Sequence, residues 1–71
     1  MKMEYRFIEF VEAKDTFSPK PYYACKNKNH KDILGHVEYY PEWKRYTFNP
    51  EPMTVYSIDC LEDIIHFIKQ L

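Results

Sequence analysis

The chain has 71 residues, a formal net charge of −1, and 45% hydrophobic residues. This length fits one small domain over residues 1–71, which buries only about 60% of its unfolded surface and has a low net stability of roughly 3–5 kcal/mol. The longest apolar stretches are far shorter than the roughly 20 residues of a membrane-spanning helix, and the charged N-terminal run is unlike a secretion signal. We therefore expect a soluble, cytoplasmic protein.

The small numbers of glycine and cysteine residues exclude or disfavour several classes of functional site. A single glycine, Gly35, excludes the glycine-rich phosphate loops of nucleotide-binding enzymes. Cys25 and Cys60 lack a CxxC spacing, so we expect two free buried thiols in a reducing cytosol, with a disulfide or metal role as the alternative. Cys25 and His36 form the pair that a hairpin could bring together for nucleophilic catalysis, but nothing in the sequence activates the thiol. The sequence predicts no cofactor, no metal and no enzymatic activity.

The first predicted strand lies in EYRFIEFVEA, residues 4–13, where both faces carry apolar side chains. We assign the face with Tyr5, Phe7 and Val11 to the core. The stretch DTFSPKP, residues 15–21, is rich in turn-forming residues and predicts a loop.

Two hairpins follow in the predicted order. PYYACK begins at Pro21 and leads through the turn KNKNHKD into ILGHVEYY, so residues 21–40 form a hairpin in which Ile33, Val37 and Tyr39 share one face. The turn pair at residues 41–42 then leads into KRYTF, which predicts a further strand. The two prolines of NPEPM break the chain before either a short VYS strand or an extended approach to the helix.

The C-terminal segment SIDCLEDIIHFIKQL predicts a helix over residues 58–70 with Ser57 as its N-cap. His66 falls on the solvated side of this helix. The apolar residues at helical spacing form the predicted core-facing stripe, so a charge at Ile65 is expected to unfold the domain. This stripe consists of Leu61, Ile64, Ile65, Ile68 and Leu71.

Strands followed by one helix indicate an α+β domain. The predicted architecture is an antiparallel β-meander of three to five strands with one C-terminal amphipathic helix packed on one face. Twelve of the thirteen aromatic residues precede residue 57, so most of the aromatic side chains belong to the sheet. Because a helix of this length spans about 20 Å, it can cover one face of the sheet but not both.

Several motifs in the second half follow the pattern of a known family. A Leu-Gly pair at residues 34–35 opens an extended segment, a Trp-x-x-Tyr-x-Phe-x-Pro unit begins at Trp43, and a Ser-x-x-Cys-Leu sequence begins at Ser57. Over residues 21–71 the chain resembles a family of very short uncharacterised proteins of bacteria and their phages. The resemblance implies the same fold and an origin in a phage or integrated element, and it implies no activity. The chain departs from the family pattern at Glu38 and Tyr39, where lysine and tryptophan are expected.

The sheet face that the helix leaves open is the predicted interaction surface. By the alternation along the first strand, Ile8 and Phe10 point to this open face. The alternative is that the side chains of this face complete a small core instead of binding a partner. Tyr, Trp and Arg are the residue types enriched at binding hot spots, and the candidate contact residues are Arg6, Tyr22, Tyr40, Trp43 and Arg45. This predicts a non-enzymatic accessory protein that binds an unidentified protein partner or a second copy as a homodimer.

A small single-stranded nucleic-acid-binding domain is the alternative. It would use the same aromatic face to stack bases and lysines to contact phosphates. Residues 20–31 contain no acid, and the candidate phosphate contacts are Lys26, Lys28, Lys31 and Lys44. The pI near 6.3 lacks the basic excess of such domains. A continuous stripe of these lysines with Arg45 would favour nucleic acid over protein.

Overall fold

A computed structural model describes residues 1–13 and 20–71. Within these residues, four strands form one antiparallel sheet in the order β1-β2-β3-β4, and the helix packs on one of its faces. The predicted α+β meander with one C-terminal helix is therefore confirmed. The predicted loop lies outside the described residues as far as residue 19. The elements are β1 (Ile8–Ala13), β2 (Tyr22–Asn27), β3 (Ile33–Tyr40), β4 (Arg45–Pro50) and α1 (Ile58–Lys69).

The turn between β2 and β3 is closed by its own polar groups. The Asn27 side chain accepts hydrogen bonds from the backbone N–H groups of Asn29 and His30 at 2.9 and 3.0 Å. Lys31 has a φ of 63°, which is the left-handed conformation that reverses the chain. The hairpin therefore forms where the Asn-rich and Lys-rich sequence predicts it.

A bulge changes which face the start of β3 presents. The β2–β3 register shifts between Cys25 and Lys26, so that Lys26 lies opposite Ile33 while Cys25 lies opposite Gly35. As a result, Ile33 is 46% exposed and Leu34 packs against the core instead. The predicted placement of Ile33 on the face of Val37 is wrong because simple alternation does not anticipate a bulge.

The core lies between α1 and one face of the sheet. Its centre is Phe67, whose ring stacks on that of Phe10 with 3.9 Å between centroids and meets Tyr23 edge to face at 5.1 Å. Such aromatic residues bury 150–250 Å² each in typical cores, so a few of them supply much of the hydrophobic stabilisation of a small domain. The buried set is Tyr5, Ile8, Phe10, Tyr23, Cys25, Val37, Ile64 and Phe67.

The N-terminal segment folds back on β1 instead of extending it. The Phe10 N–H donates to the Met3 carbonyl at 2.8 Å, and the Tyr5 N–H donates to the Ile8 carbonyl at 2.9 Å. Because this reversal interrupts the alternation, Tyr5, Ile8 and Phe10 are buried together. Ile8 and Phe10 are therefore core residues, and their predicted place on the open face is wrong. Phe7 and Val11, which the sequence assigns to the core face together with Tyr5, are exposed instead, so their predicted place in the core is wrong.

The ends and the lead-in of α1 follow the prediction. The Ser57 hydroxyl accepts a hydrogen bond from the Cys60 N–H at 3.2 Å, which is the expected N-cap. His66 is exposed as predicted, and its Nδ1 also lies 2.7 Å from the Tyr5 hydroxyl. Residues 51–57 contain a turn but no strand, so the chain approaches the helix without the short VYS strand.

The face of α1 that packs on the sheet differs from the predicted stripe. Ile64 and Phe67 are buried, because the Phe67 ring fills the space above Phe10 and turns the helix towards it. Leu61 and Ile65 are 45% and 53% exposed. The Ile65 side chain therefore does not enter the core, and its predicted place in the core-facing stripe, on which the expected unfolding by a charge depends, is wrong. The predicted stripe residue Leu71 is also exposed.

Gly35 is required where β3 meets β4. A Cβ atom at this position would lie 2.7 Å from both the Asn49 carbonyl oxygen and the Phe48 Cζ atom. These distances are shorter than van der Waals contact, and one of the two atoms belongs to the backbone of β4, so a larger residue here would have to move β4 as well as the Phe48 ring.

Candidate interaction surface

Three of the predicted contact residues meet at the β3–β4 turn. The Tyr40 and Trp43 rings are in edge-to-face contact with 4.8 Å between centroids, and the Arg45 Nε donates to the Trp43 carbonyl at 3.2 Å. The Trp43 side chain is 63% exposed and that of Tyr40 is 41% exposed. We call Tyr40, Trp43 and Arg45 the aromatic corner.

The backbone of the turn holds the aromatic corner in place. The Trp43 N–H donates to the Tyr40 carbonyl and the Lys44 N–H to the Pro41 carbonyl, both at 3.1 Å. Pro41 ends β3, and Lys44 has a φ of 54°, which returns the chain to β4. Trp43 is thus exposed at the tip of a turn with a defined conformation.

The other two predicted contact residues lie elsewhere. Tyr22 is half-buried on the open face of the sheet, with its ring 6.2 Å from that of His36. Arg6 lies outside that face, in the folded-back N-terminal segment, where its guanidinium sits 5.0 Å from the centre of the Phe7 ring. Arg6 also lines a cavity of about 260 Å³ with acidic residues of α1. The structure therefore separates Arg6 from the aromatic corner.

A second cavity, of about 560 Å³, opens beside the aromatic corner on the helix side of the sheet. The Lys20 ammonium lies 4.0 Å from the centre of the Tyr39 ring, and the Tyr39 and Tyr46 rings meet edge to face at 5.5 Å. Burial raises the pKa of Tyr46, and the neighbouring Tyr39 and Glu12 raise it further. Sequence reasoning missed this cavity, and the signal was the facing pair Tyr39 and Tyr46. Its lining residues are Lys20, Tyr39, Lys44, Arg45, Tyr46, Ile68 and Leu71.

The lysines at the β2–β3 end of the sheet lie close to acidic groups. Lys31 Nζ lies 2.6 Å from a Glu9 carboxylate oxygen. Lys28 Nζ lies 3.7 Å from a Glu4 carboxylate oxygen and donates to the Tyr5 carbonyl at 3.1 Å. Lys26 lies opposite Glu9 in the β1–β2 register. The acids that balance these lysines come from the N-terminal region, which the local sequence of the turn does not reveal.

The four candidate phosphate contacts do not form one stripe. Lys26, Lys28 and Lys31 lie at the β2–β3 end of the sheet, whereas Lys44 lies in the β3–β4 turn at the opposite end. The eight residues of β3 separate the two ends by roughly 26 Å. Lys44 and Arg45 therefore belong to a second, separate cationic group, which also includes Lys20, because all three line the cavity beside Tyr39 and Tyr46.

The one Cys/His pair suggested by the sequence does not meet. Ala24 and not Cys25 lies opposite His36, so Cys25 faces the core while His36 faces the open side of the sheet. Burial raises the pKa of the Cys25 thiol to about 12, and nearby Cys60 raises it too. Cys25 therefore stays a protonated core thiol at neutral pH. Both cysteines are free, and Cys60 is half-buried.

The described part of the chain contains neither a metal-holding group of side chains nor a helix that could span a membrane. Among residues 1–13 and 20–71, no three His, Cys, Asp or Glu side chains are grouped so as to hold a metal ion. In the same residues no helix is long and apolar enough to cross a membrane. Comparison of the chain with protein-family models, curated proteins and solved structures found no match.

Proposed function

We propose that this chain is a non-enzymatic accessory protein that binds another protein through the aromatic corner. The observation that carries the proposal is the 63% exposure of Trp43 at a turn whose backbone is held by two hydrogen bonds. A large aromatic side chain that is exposed and already positioned loses little entropy on binding. Trp, Tyr and Arg are also the residues most often found at hot spots.

Contacts within the corner add to this argument. Tyr40 supports one side of the Trp43 ring, and Arg45 is anchored to the Trp43 carbonyl, so the three groups act as one surface. Tyr22 lies on the same face of the sheet and extends the surface towards β2. The cytoplasmic location and the phage or mobile-element origin belong to the same proposal, and they are supported by the free thiols and by the family resemblance.

The nucleic-acid alternative is less well supported. Lys28 and Lys31 are already close to Glu4 and Glu9, so they would have to give up these contacts to reach phosphates. Lys44, Arg45 and Lys20, which line one cavity, would give only a short cationic site, and nucleic-acid affinity rises with the number of phosphate contacts.

Affinity capture with the immobilised protein tests the proposal. We expect the unmodified chain to retain a specific protein from a lysate of its source cells and the Trp43→Ala variant to lose it, with affinity reduced by about 2 kcal/mol or about 30-fold. Ile33→Ala is the matched control, because Ile33 is also exposed and apolar but lies at the other end of the sheet.

Two outcomes would contradict the proposal. One is equal capture by the parent and the Trp43→Ala variant. The other is binding to single-stranded DNA or RNA whose affinity falls steeply with salt and falls further with Lys44→Ala, which would favour the nucleic-acid alternative.

A further inference from the structure

The outer edge of β4 has main-chain groups directed away from the sheet. In an antiparallel ladder, hydrogen-bonded and non-hydrogen-bonded pairs alternate. The Glu51 N–H donates to the Leu34 carbonyl at 2.8 Å, and this bond sets the alternation along β3 and β4. Tyr46 and Phe48 then direct their N–H and C=O groups outward. Among the described residues, no hydrogen bond to these outward groups is formed.

An exposed apolar flank of α1 lies above this edge. Leu61, Ile65 and Ile68 are spaced i, i+4 and i+7, so they share one flank of the helix. Ile68 lines the cavity beside Tyr46 at the start of β4, which places the flank on the β4 side. The two residues of this flank nearest the helix start, Leu61 and Ile65, are 45% and 53% exposed.

The opposite flank of α1 confirms this orientation. Asp59, Asp63 and His66 have the same i, i+4 and i+7 spacing on the other side of the helix. Asp59 and Asp63 line the cavity that contains Arg6, and His66 is bonded to Tyr5. Both contacts lie at the N-terminal segment beside β1, so the apolar flank points towards β4.

We propose that the β4 edge pairs with the β4 edge of a second copy of this chain, giving a two-fold dimer with one continuous sheet. In the register that we assign, Thr47 lies opposite Thr47 of the second copy, and Tyr46 lies opposite Phe48 of the second copy. The outward groups of Tyr46 and Phe48 then form four intermolecular hydrogen bonds, and each chain donates two of them. Pro50, which has no N–H, falls outside these bonds.

The side chains of β4 are complementary to themselves in this register. Tyr46 and Phe48 point to the helix side, so each copy supplies aromatic side chains that the Leu61 and Ile65 flank of the other can cover. On the other side of the sheet, Thr47 meets Thr47, and Arg45 meets Asn49 with no like charges in direct opposition. A second copy thus satisfies both the strand edge and the apolar flank, which is the reason to prefer it to another partner.

This dimer does not rest on the proposed function, and the two surfaces share one residue, Arg45, which starts β4. The dimer otherwise uses the outer edge of β4 and the flank of α1, whereas Tyr40 and Trp43 lie at the end of β3 and in the turn. Loss of self-association should therefore leave capture by Trp43 unchanged, and Trp43→Ala should leave self-association unchanged.

Sedimentation equilibrium from about 10 µM to about 1 mM tests the dimer, because association depends on concentration. We expect the unmodified chain to reach the mass of a dimer. Thr47→Lys and Thr47→Glu should each weaken the dimer at least about tenfold, since they place like charges opposite each other across the two-fold axis. Mixing the two variants should restore association as a heterodimer.

Further variants distinguish the edge from general damage. Ile65→Lys should weaken the dimer, whereas Val11→Lys, a matched change of an exposed apolar residue on β1, should not. Thr47→Ala removes the hydrogen bond from the Thr47 hydroxyl to the Glu38 carbonyl without adding charge and should still dimerise. Circular dichroism checks that each variant is folded. A strictly monomeric parent at the highest concentration, or a folded Ile65→Lys that dimerises like the parent, would overturn the proposal.

Discussion

The two edge strands of the sheet, β1 and β4, differ in whether other parts of the chain cover them. At β1, the N-terminal segment folds back so that the Phe10 N–H reaches the Met3 carbonyl, and the Tyr5 hydroxyl contacts His66 on α1. At β4, the outward groups of Tyr46 and Phe48 have no such cover among the described residues. We call these the closed edge and the open edge. The same small domain thus protects one edge with its own chain and leaves the other available for intermolecular pairing.

The helix shows the same asymmetry. Towards the closed edge, the Gln70 side chain accepts from the Lys2 N–H at 2.8 Å and donates to the Lys2 carbonyl at 2.9 Å, so the last turn of the helix and the first residues of the chain are tied together. Towards the open edge, Leu61 and Ile65 remain exposed. On the side of the closed edge, the helix therefore makes hydrogen bonds to the N-terminal segment. On the side of the open edge, it has apolar side chains that are exposed.

The largest expected effect comes from comparing two residues of α1. Phe67→Ala should cost about 3–5 kcal/mol, because it removes the ring that stacks on Phe10, and this loss equals the whole stability expected for a domain of this size. Ile65→Ala, towards the open edge, should cost well under about 1 kcal/mol. Urea denaturation followed by circular dichroism measures both. A cooperative transition for Phe67→Ala near that of the parent would contradict this packing.

The stability of the core next to the closed edge can be tested at alkaline pH through Cys25, which lies opposite Phe10 in the β1–β2 register. Burial raises the pKa of its thiol from 9.0 to about 12, so between these values the unfolded chain has lost a proton that the folded chain keeps. Below pH 9 the thiol is protonated in both states, and its full contribution to the free energy of unfolding is present. Between pH 9 and about 12 this free energy decreases by about 1.4 kcal/mol per pH unit.

Variants separate this thiol from other titrating groups. We expect the free energy of unfolding of Cys25→Ala to fall less steeply with pH above 9 than that of the parent. Cys60→Ala keeps the buried Cys25 thiol and the burial that is the larger cause of its raised pKa, so it should retain most of the parent slope. Equal slopes for Cys25→Ala and the parent would show that this thiol does not titrate differently in the two states.

Local patterns predicted most of the fold, for identifiable reasons. The turn residues between β2 and β3, the proline that ends β3 and the Ser57 cap act on neighbouring residues, so they can be read from the sequence alone. The errors arose where distant residues decide the outcome. The chain reversal before Ile8 depends on pairing with β1, the bulge at Cys25 depends on β3, and the rotation of α1 depends on where Phe67 meets Phe10.

For the candidate surface too, the sequence predicted what neighbouring residues determine and missed what distant residues determine. Tyr40, Trp43 and Arg45 belong to one turn, so the sequence places them together correctly. Arg6 was grouped with them by residue type, and only the folded-back segment reveals that it lies elsewhere. The lysines of the β2–β3 end looked unbalanced because their acidic partners, Glu4 and Glu9, are distant in sequence.

The smallest expected effect concerns the hydroxyl that ties the closed edge to the helix. Tyr5→Phe removes the group that lies 2.7 Å from His66 Nδ1 and keeps the buried ring, so we expect a loss of about 1 kcal/mol. Because Tyr5 lies in the segment that covers β1, hydrogen exchange of the Phe10 amide should become faster. Tyr56→Phe is the control, because it removes a hydroxyl that donates to the Leu34 carbonyl, at a distance from β1. If that control accelerates exchange at Phe10 as much as Tyr5→Phe does, the two edges are not stabilised separately, and the contrast between them describes geometry alone.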